Sequence, residues 1–135
     1  MPLLADKTIT VRNLRYDPET DTEAEITTRL EGCSVHAKTV ANATADGLAA
    51  ASIAQIRIFA GHTLAATQSA SEAPVPADDK FLVPAAWAAQ SAAAADTWTL
   101  RPGDHIEYQG QRMTILAVHD NRGARRNPHW YVEAH

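Results

Sequence analysis

The sequence predicts a mainly β domain: a small barrel or sandwich of about seven short strands, with a long inserted loop carrying one short α-helix. Three observations predict it. Short segments alternate β-branched or bulky apolar residues with polar ones, the period-two pattern of half-buried strands. Clusters of Pro, Gly, Asp and Asn separate those segments at short intervals. One stretch, residues 62–97, breaks both rhythms.

The strands follow in order. Lys7 to Leu14 alternates Ile9 and Val11 against Thr8, Thr10 and Arg12. Tyr16-Asp17-Pro18-Glu19-Thr20-Asp21 is a turn, because Pro fixes φ and Asp and Thr bond nearby backbone. Glu25 to Leu30 resumes the alternation with Ile26, Thr28 and Leu30 on one face, completing a hairpin with an acidic tip. Gly32 allows a bend, and Cys33 to Lys38 is a third strand with Cys33, Val35 and Ala37 inward. Residues 39–52 are small and polar, with a turn at Asp46-Gly47. Ile53 to Phe59 is a fourth strand with Ile56 and Ile58 on a shared face. In the long insertion, Pro84 suits the first turn of a helix and Ala is the strongest helix former, so 85–95 is expected to be helical. Trp98-Thr99-Leu100, His105 to Tyr108, Arg112 to Val118 and Trp130 to Val132 are the remaining strands. Turns at Arg101-Pro102-Gly103-Asp104 and Gln109-Gly110-Gln111 and a basic loop at 120–128 join them.

Composition bounds the rest. A chain of 135 residues is expected to be one domain, 1–135, able to fold around one core without a cofactor. Alanine accounts for 27 residues, so bulky apolar side chains are scarce and the core is expected to be thin. No apolar run is long enough for a membrane helix, and the start, Met1-Pro2-Leu3-Leu4-Ala5-Asp6, lacks the pattern of a signal peptide. The lone Cys33 excludes a disulfide framework within the chain. A net charge of −4 argues against general nucleic-acid binding.

Catalytic chemistry finds little footing. The histidines His36, His62, His105, His119, His129 and His135 contain no helical pair with ligand spacing. His119, Asp120 and His129 flank the basic loop and are the best metal candidates, but polar strand ends explain them more simply. Cys33 as a nucleophile would need a lowered pKa and a base, and His36 falls on the opposite face of a strand. A buried structural thiol is the better reading. Asp78-Asp79 reads as a helix-proximal charge or loop contact. No phosphate loop or nucleophile elbow is present. No catalytic residue, metal site or cofactor is therefore expected.

Contact surfaces are better represented. Arg122, Arg125 and Arg126 form a positive patch in an acidic chain, suited to phosphate, to an acidic neighbour, or simply to solvent. Asp17, Glu19, Asp21 and Glu23 form an acidic hairpin tip that offers such a neighbour on a second copy, in a ring. Phe81, Leu82, Val83 and Trp87 are bulky apolar residues within a light loop. They either fold back as a satellite core or anchor on a partner, and the length of the loop favours the partner, with Trp common at interface hot spots.

The order of Tyr16-Asp17-Pro18-Glu19-Thr20, Leu30-Glu31-Gly32-Cys33-Ser34-Val35, Gln55-Ile56-Arg57-Ile58 and Phe81-Leu82-Val83-Pro84-Ala85-Ala86-Trp87, then Trp98-Thr99-Leu100-Arg101-Pro102-Gly103-Asp104 and the tail Asp120-Asn121-Arg122-Gly123-Ala124-Arg125-Arg126-Asn127-Pro128-His129-Trp130, resembles the small minor capsid proteins of tailed bacteriophages and prophages. Within that group the likeness is to head–tail connector or head-closure (stopper) proteins. The resemblance implies a structural virion protein, not an enzyme, that forms a homo-oligomeric ring under the portal. It also implies contacts with portal or adaptor and tail proteins, help in retaining packaged DNA, no membrane contact, and a place at the virion neck after synthesis in the host cytoplasm. The barrel would be 7–59 and 98–134, loop 62–97 would project or clamp, and the basic loop would face a neighbour. The alternatives are a tail-completion or tail-terminator protein, a monomeric β-barrel module binding a ligand or nucleic acid, and, last, a small metal-dependent hydrolase using His119, Asp120 and His129.

Overall fold

The structure is a computed structural model and describes residues 6–17, 20–44, 47–67, 74–89, 97–123 and 125–135. Eight strands carry the fold: β1 (Lys7–Asp17), β2 (Thr22–Thr44), β3 (Gly47–Phe59), β4 (Leu64–Thr67), β5 (Val75–Pro76), β6 (His105–Tyr108), β7 (Gln111–Asn121) and β8 (His129–Ala134). Two short helices, α1 (Ala77–Lys80) and α2 (Pro84–Ala88), lie in the insertion.

All pairings between these strands are antiparallel. The strand order is β1-β6-β7-β8-β3-β2-β4-β5, and β1 also pairs with β2. That last pairing closes β1, β6, β7, β8, β3 and β2 into a circuit of six strands, so the expected barrel is present. Closure removes exposed strand edges over the body of the sheet. In the circuit the β1–β2 hairpin stands opposite the β7–β8 hairpin. The strand directions place both hairpin loops at one end of the barrel, with the β2–β3 and β6–β7 turns at the other.

Strand β2 is one strand of 23 residues where the sequence predicts two. The reason lies at Gly32, whose φ of +90° is a left-handed conformation suited to glycine. Lys7 pairs with Cys33 but Thr8 pairs with Glu31, so Gly32 is the extra residue of a bulge. The bulge slips the period by one. Leu30 and Cys33 therefore both point inward, while Val35 is half-buried and Ala37 is exposed. A bulge bends the strand without ending it, which lets β2 leave β1 and continue along β3.

The core is rich in aromatic bulk rather than thin. Ile9, Val11, Leu30, Ile56, Ile58, Ile106 and Ile115 fill the barrel, and Trp87, Trp98 and Trp130 are all fully buried. Phe81, Trp98 and Trp130 make a cluster with ring centroids 4.7 to 5.4 Å apart, in tilted or edge-on geometry. Such geometry matches the ring quadrupoles.

The insertion differs from its expected form. Its described parts do not project. Strand β4 pairs with β2, β5 pairs with β4, and Ala65, Ala77 and Trp87 are buried. The indole of Trp98 donates to Ala77 O at 3.0 Å, and Trp98 N–H donates to Lys80 O at 3.0 Å. Trp98-Thr99-Leu100 is accordingly a buried segment with one bridge to Phe81 rather than a regular strand. Pro84 opens α2 as expected, but the described helix ends at Ala88, and residues 90–95 of the expected helix fall outside the described residues.

Candidate functional site

The sequence-predicted contact residues divide into two groups, and the structure adds a third feature. The first group is internal. Trp87 is 1% exposed, its ring held between the guanidinium groups of Arg15 at 4.8 Å and Arg101 at 4.7 Å. Its indole N–H donates to Thr97 O at 3.3 Å, and Arg15 donates to Trp87 O at 2.9 Å. Phe81 packs on Trp98 and Trp130, Leu82 N–H donates to Trp98 O, and only Val83 is exposed. The expectation that this stretch meets a partner is corrected for Trp87 and Phe81. Two arginines and two tryptophans of the same chain already cover them, which a reading of loop length could not foresee.

Beneath Trp87 lies a polar knot made by the Trp-Thr-Leu-Arg-Pro-Gly-Asp segment. The buried Asn13 side-chain amide donates to Thr99 O at 2.9 Å and to Asp104 Oδ2 at 2.8 Å, and its Oδ1 accepts from Thr99 N–H at 3.2 Å. Arg101 closes on Asp104 through Nε at 2.9 Å and also donates to Leu14 O. Each of these is charge-assisted or buried, so the segment is fixed to β1. It is structural, and nothing in it is aimed at an open space.

The second group is the charged hairpin loops. Arg122 is also spent internally. It ion-pairs with Asp120 at 2.6 Å and lies 4.9 Å from the ring centroids of both Phe81 and Trp130, capping the aromatic cluster. The bond from Arg122 holds the Asp120 carboxyl below its ordinary range. Arg125 and Arg126 are exposed and, among the described residues, take no carboxylate. Arg57 joins them, a residue sequence reasoning did not single out. Its guanidinium lies 5.2 Å over the ring of Tyr131, and Tyr131 stacks on His119 at 5.9 Å. The pairing register explains this row, because His119, Tyr131, Arg57 and Ser34 are direct partners across β7, β8, β3 and β2. A check of which arginines lack a carboxylate at strand-pair spacing would have found Arg57.

On the opposite hairpin, Asp21 and Glu23 are exposed. Asp21, at φ +52°, accepts from the Tyr16 hydroxyl at 2.5 Å, and neither takes a cation among the described residues. Glu19 and the Asp17 side chain fall outside what is described. Glu25, the fifth acid of that hairpin, is not part of a solvated tip. It bonds Arg12 at 2.7 Å and Arg112 at 3.0 Å, and the Arg12 bond lowers its pKa.

The third feature is the far end of the β2–β3 pair. Residues 39–52, expected as a loop, belong to strands on both sides of the turn. β8 pairs with β3 only from Ala54 to Phe59, and β1 pairs with β2 only up to Cys33. The seven pairs from Lys38↔Ile53 to Thr44↔Gly47 therefore have no third strand among the described residues. At about 3.3 Å per residue this ribbon extends roughly 20 Å. A pocket of about 420 Å³ lies at its root, lined by Val35, Ala37, Ile53, Tyr108, Met113 and His135 among others.

The catalytic candidates do not assemble. Burial pushes the Cys33 thiol up to about 12, so it is an inert core group. His119 stacks on Tyr131, Asp120 is held by Arg122, and His129 Nδ1 sits 2.7 Å from Asn127 O. Among the described residues no three His, Cys, Asp or Glu side chains group as a metal site. Asp78 accepts from Gly61 N–H at 3.1 Å, the loop contact expected of it. No described helix is long and apolar enough to cross a membrane.

Fold and surfaces together define a small closed antiparallel β-barrel with an unaccompanied hairpin ribbon at one end and charged loops at the other. A family model described as "Family of unknown function (DUF6751)" matches residues 4–135, and the chain belongs to that family. No curated protein and no solved structure matches it.

Proposed function

We propose that the chain is an architectural subunit of a tailed-bacteriophage or prophage particle, a head–tail connector of the head-closure type. Copies join in a ring beneath the portal, meet portal or adaptor proteins on one side and tail proteins on the other, and help retain the packaged DNA. On this reading the protein is not an enzyme, needs no cofactor and resides at the virion neck.

The observation that supports this reading is the ribbon. An isolated two-stranded hairpin is marginal in water. Among the described residues neither outer edge of this one has a pairing strand, and soluble proteins normally blunt such edges with charge, proline or a covering element. Beyond Lys38 at its root, residues 39–44 and 47–52 contain no charged residue and no proline. Alanine, poor at forming strands, supplies five of those twelve positions. Such a ribbon makes sense as a part completed by a neighbour in an assembly. With the projecting role moved from the insertion to the ribbon, the resemblance to connector proteins keeps its physical content: a rigid barrel with one extension.

The test is to co-express the chain with a tailed-phage portal protein from the same genome and image the particles. Rings seated on portals are expected. A variant with 39–52 replaced by a two-residue turn should keep the barrel's thermal stability and form rings that do not seat on the portal. Absence of portal-bound rings from the intact chain would refute the connector reading. Tight binding of a small ligand by a strict monomer would favour the module instead.

A further inference from the structure

Five arginines of this chain are neutralised within it. Arg12 pairs with Glu25 and Glu107, Arg112 with Glu25, Arg29 with Glu31, Arg101 with Asp104, and Arg122 with Asp120. Outside these pairs, together with the carboxylates Asp78, Asp79 and Glu133, stand two sets of opposite sign. One is cationic: Arg57, Arg125 and Arg126, none with a carboxylate partner among the described residues. The other is anionic: exposed Asp21 and Glu23 on the hairpin whose turn also contains Asp17 and Glu19.

Their placement is specific. The anionic set joins β1 to β2, and Arg125 and Arg126 join β7 to β8, with Arg57 on the β3 strand beside β8. Both loops lie at the same end of the barrel. In the six-strand circuit β1 is three steps from β8 in either direction, and β2 is three steps from β7. The two sets therefore occupy opposite flanks, and one copy cannot bring its own together. Two copies side by side can. Each copy then gives one patch and receives the other, a heterologous contact that repeats around a ring when the rotation closes.

We propose that the Arg57, Arg125 and Arg126 flank of one copy docks the acidic β1–β2 hairpin of a second copy. This is the lateral contact of the assembly, and it rests on the architectural reading above. The exposed carboxylates of Asp21 and Glu23 would meet a loop bearing two guanidinium groups and a third on the adjacent strand. Arg57 is pre-oriented by Tyr131, which reduces the rotamer freedom it loses on docking. Glu133 bounds the patch, two residues along β8 from Tyr131 and paired with Gln55.

The experiment is a complementary charge swap. Variant one carries Arg125→Glu and Arg126→Glu, and variant two carries Asp17→Lys and Glu23→Lys. Association is followed by sedimentation velocity at low and high salt, with thermal unfolding reporting that each barrel is folded. The intact chain is expected to self-associate at low salt and to weaken as salt rises. Each variant alone should self-associate at least about tenfold more weakly. The two mixed together should recover association, because swapped patches are again opposite. Arg57→Gln should weaken it by a smaller factor. If the intact chain stays monomeric at low salt, if neither variant weakens association, or if mixing restores nothing, the proposal falls. It also falls if variant one loses binding to a duplex oligonucleotide while keeping its self-association, since the cationic flank would then belong to nucleic acid. Rings that form by this contact but never seat on a portal would refute the connector reading and leave this one standing.

Discussion

Trp87→Ala is expected to cost the monomer about 3–4 kcal/mol of folding free energy. Removing a buried tryptophan costs roughly 3–5 kcal/mol in transfer and cavity terms. Here the cavity would be bounded on two sides by Arg15 and Arg101, at 4.8 and 4.7 Å. Each guanidinium also loses a cation–π contact worth about 0.5–2 kcal/mol. Against that, Arg101 is 27% exposed at its side chain and can rehydrate, which places the sum in the middle of the range rather than above it. A domain of this size holds roughly 5–15 kcal/mol, so the variant should remain folded but with a large fraction of its stability gone. Urea unfolding followed by tryptophan fluorescence and circular dichroism measures it, provided the two probes coincide. Trp87→Phe keeps a ring between the guanidinium groups and loses the 3.3 Å bond to Thr97 O, so about 1 kcal/mol is expected. A loss under about 1 kcal/mol in Trp87→Ala, with self-association abolished, would refute this reasoning and return Trp87 to the partner-facing role that loop length suggests.

Asn13→Ala should cost roughly 2–4 kcal/mol, since it strands Thr99 N–H and O and one bond to Asp104 in a buried site, and urea unfolding measures this too. Cys33 should resist a thiol reagent in the native protein and react at the rate of global unfolding, because its thiol is buried and raised to about 12. Rapid native labelling would place it at the surface. Glu25 and Asp120 have folded pKa values lowered from 4.5 and 3.8 by Arg12 and Arg122. The unfolded chain therefore takes up protons first as pH falls. Their stabilisation is present at neutral pH and is lost as pH drops through and below those ordinary values. A melting-temperature profile in acid should be shallower for Glu25→Gln than for the intact chain.

The parts of the fold that follow from local pattern were legible. Ile9 and Val11, Ile26, Thr28 and Leu30, and Ile56 and Ile58 alternate, and all are buried as that alternation requires. What escaped was non-local. The bulge at Gly32 merges two segments into one strand, and only pairing with Lys7 and Thr8 reveals the slip. The ribbon strands at 39–44 and 47–52 are alanine-rich and lack a β signature, so only their mutual register makes them strands. The insertion looked unburiable because of its length. Its Trp87 and Phe81 are covered by arginines and tryptophans from 15, 98, 101 and 130, distant in sequence. Of the candidate site residues, Arg125, Arg126, Asp21, Glu23 and Val83 kept an open surface. Arg122 did not, because Asp120 stands two residues away and an aromatic floor lies beneath it.

The two open features of the barrel call for contacts of different physics. A closed six-strand circuit has no edge to offer along its sides, so lateral neighbours cannot add strands there. What the flanks offer instead is charge, positive by β8 and β3 and negative by the β1–β2 turn. Among the described residues, open edges lie at β5, which ends the strand order outside the circuit, and at the ribbon, at the opposite end from those loops. A partner there gains main-chain hydrogen bonds and apolar burial beside Val35, Ile53 and Tyr108. The two contacts therefore separate by salt. Raising ionic strength should loosen side-by-side association of copies while leaving a ribbon-mediated contact in place. A stacked assembly built this way comes apart laterally before it comes apart between layers, and that order of dissociation distinguishes it from a barrel whose copies meet through one uniform surface.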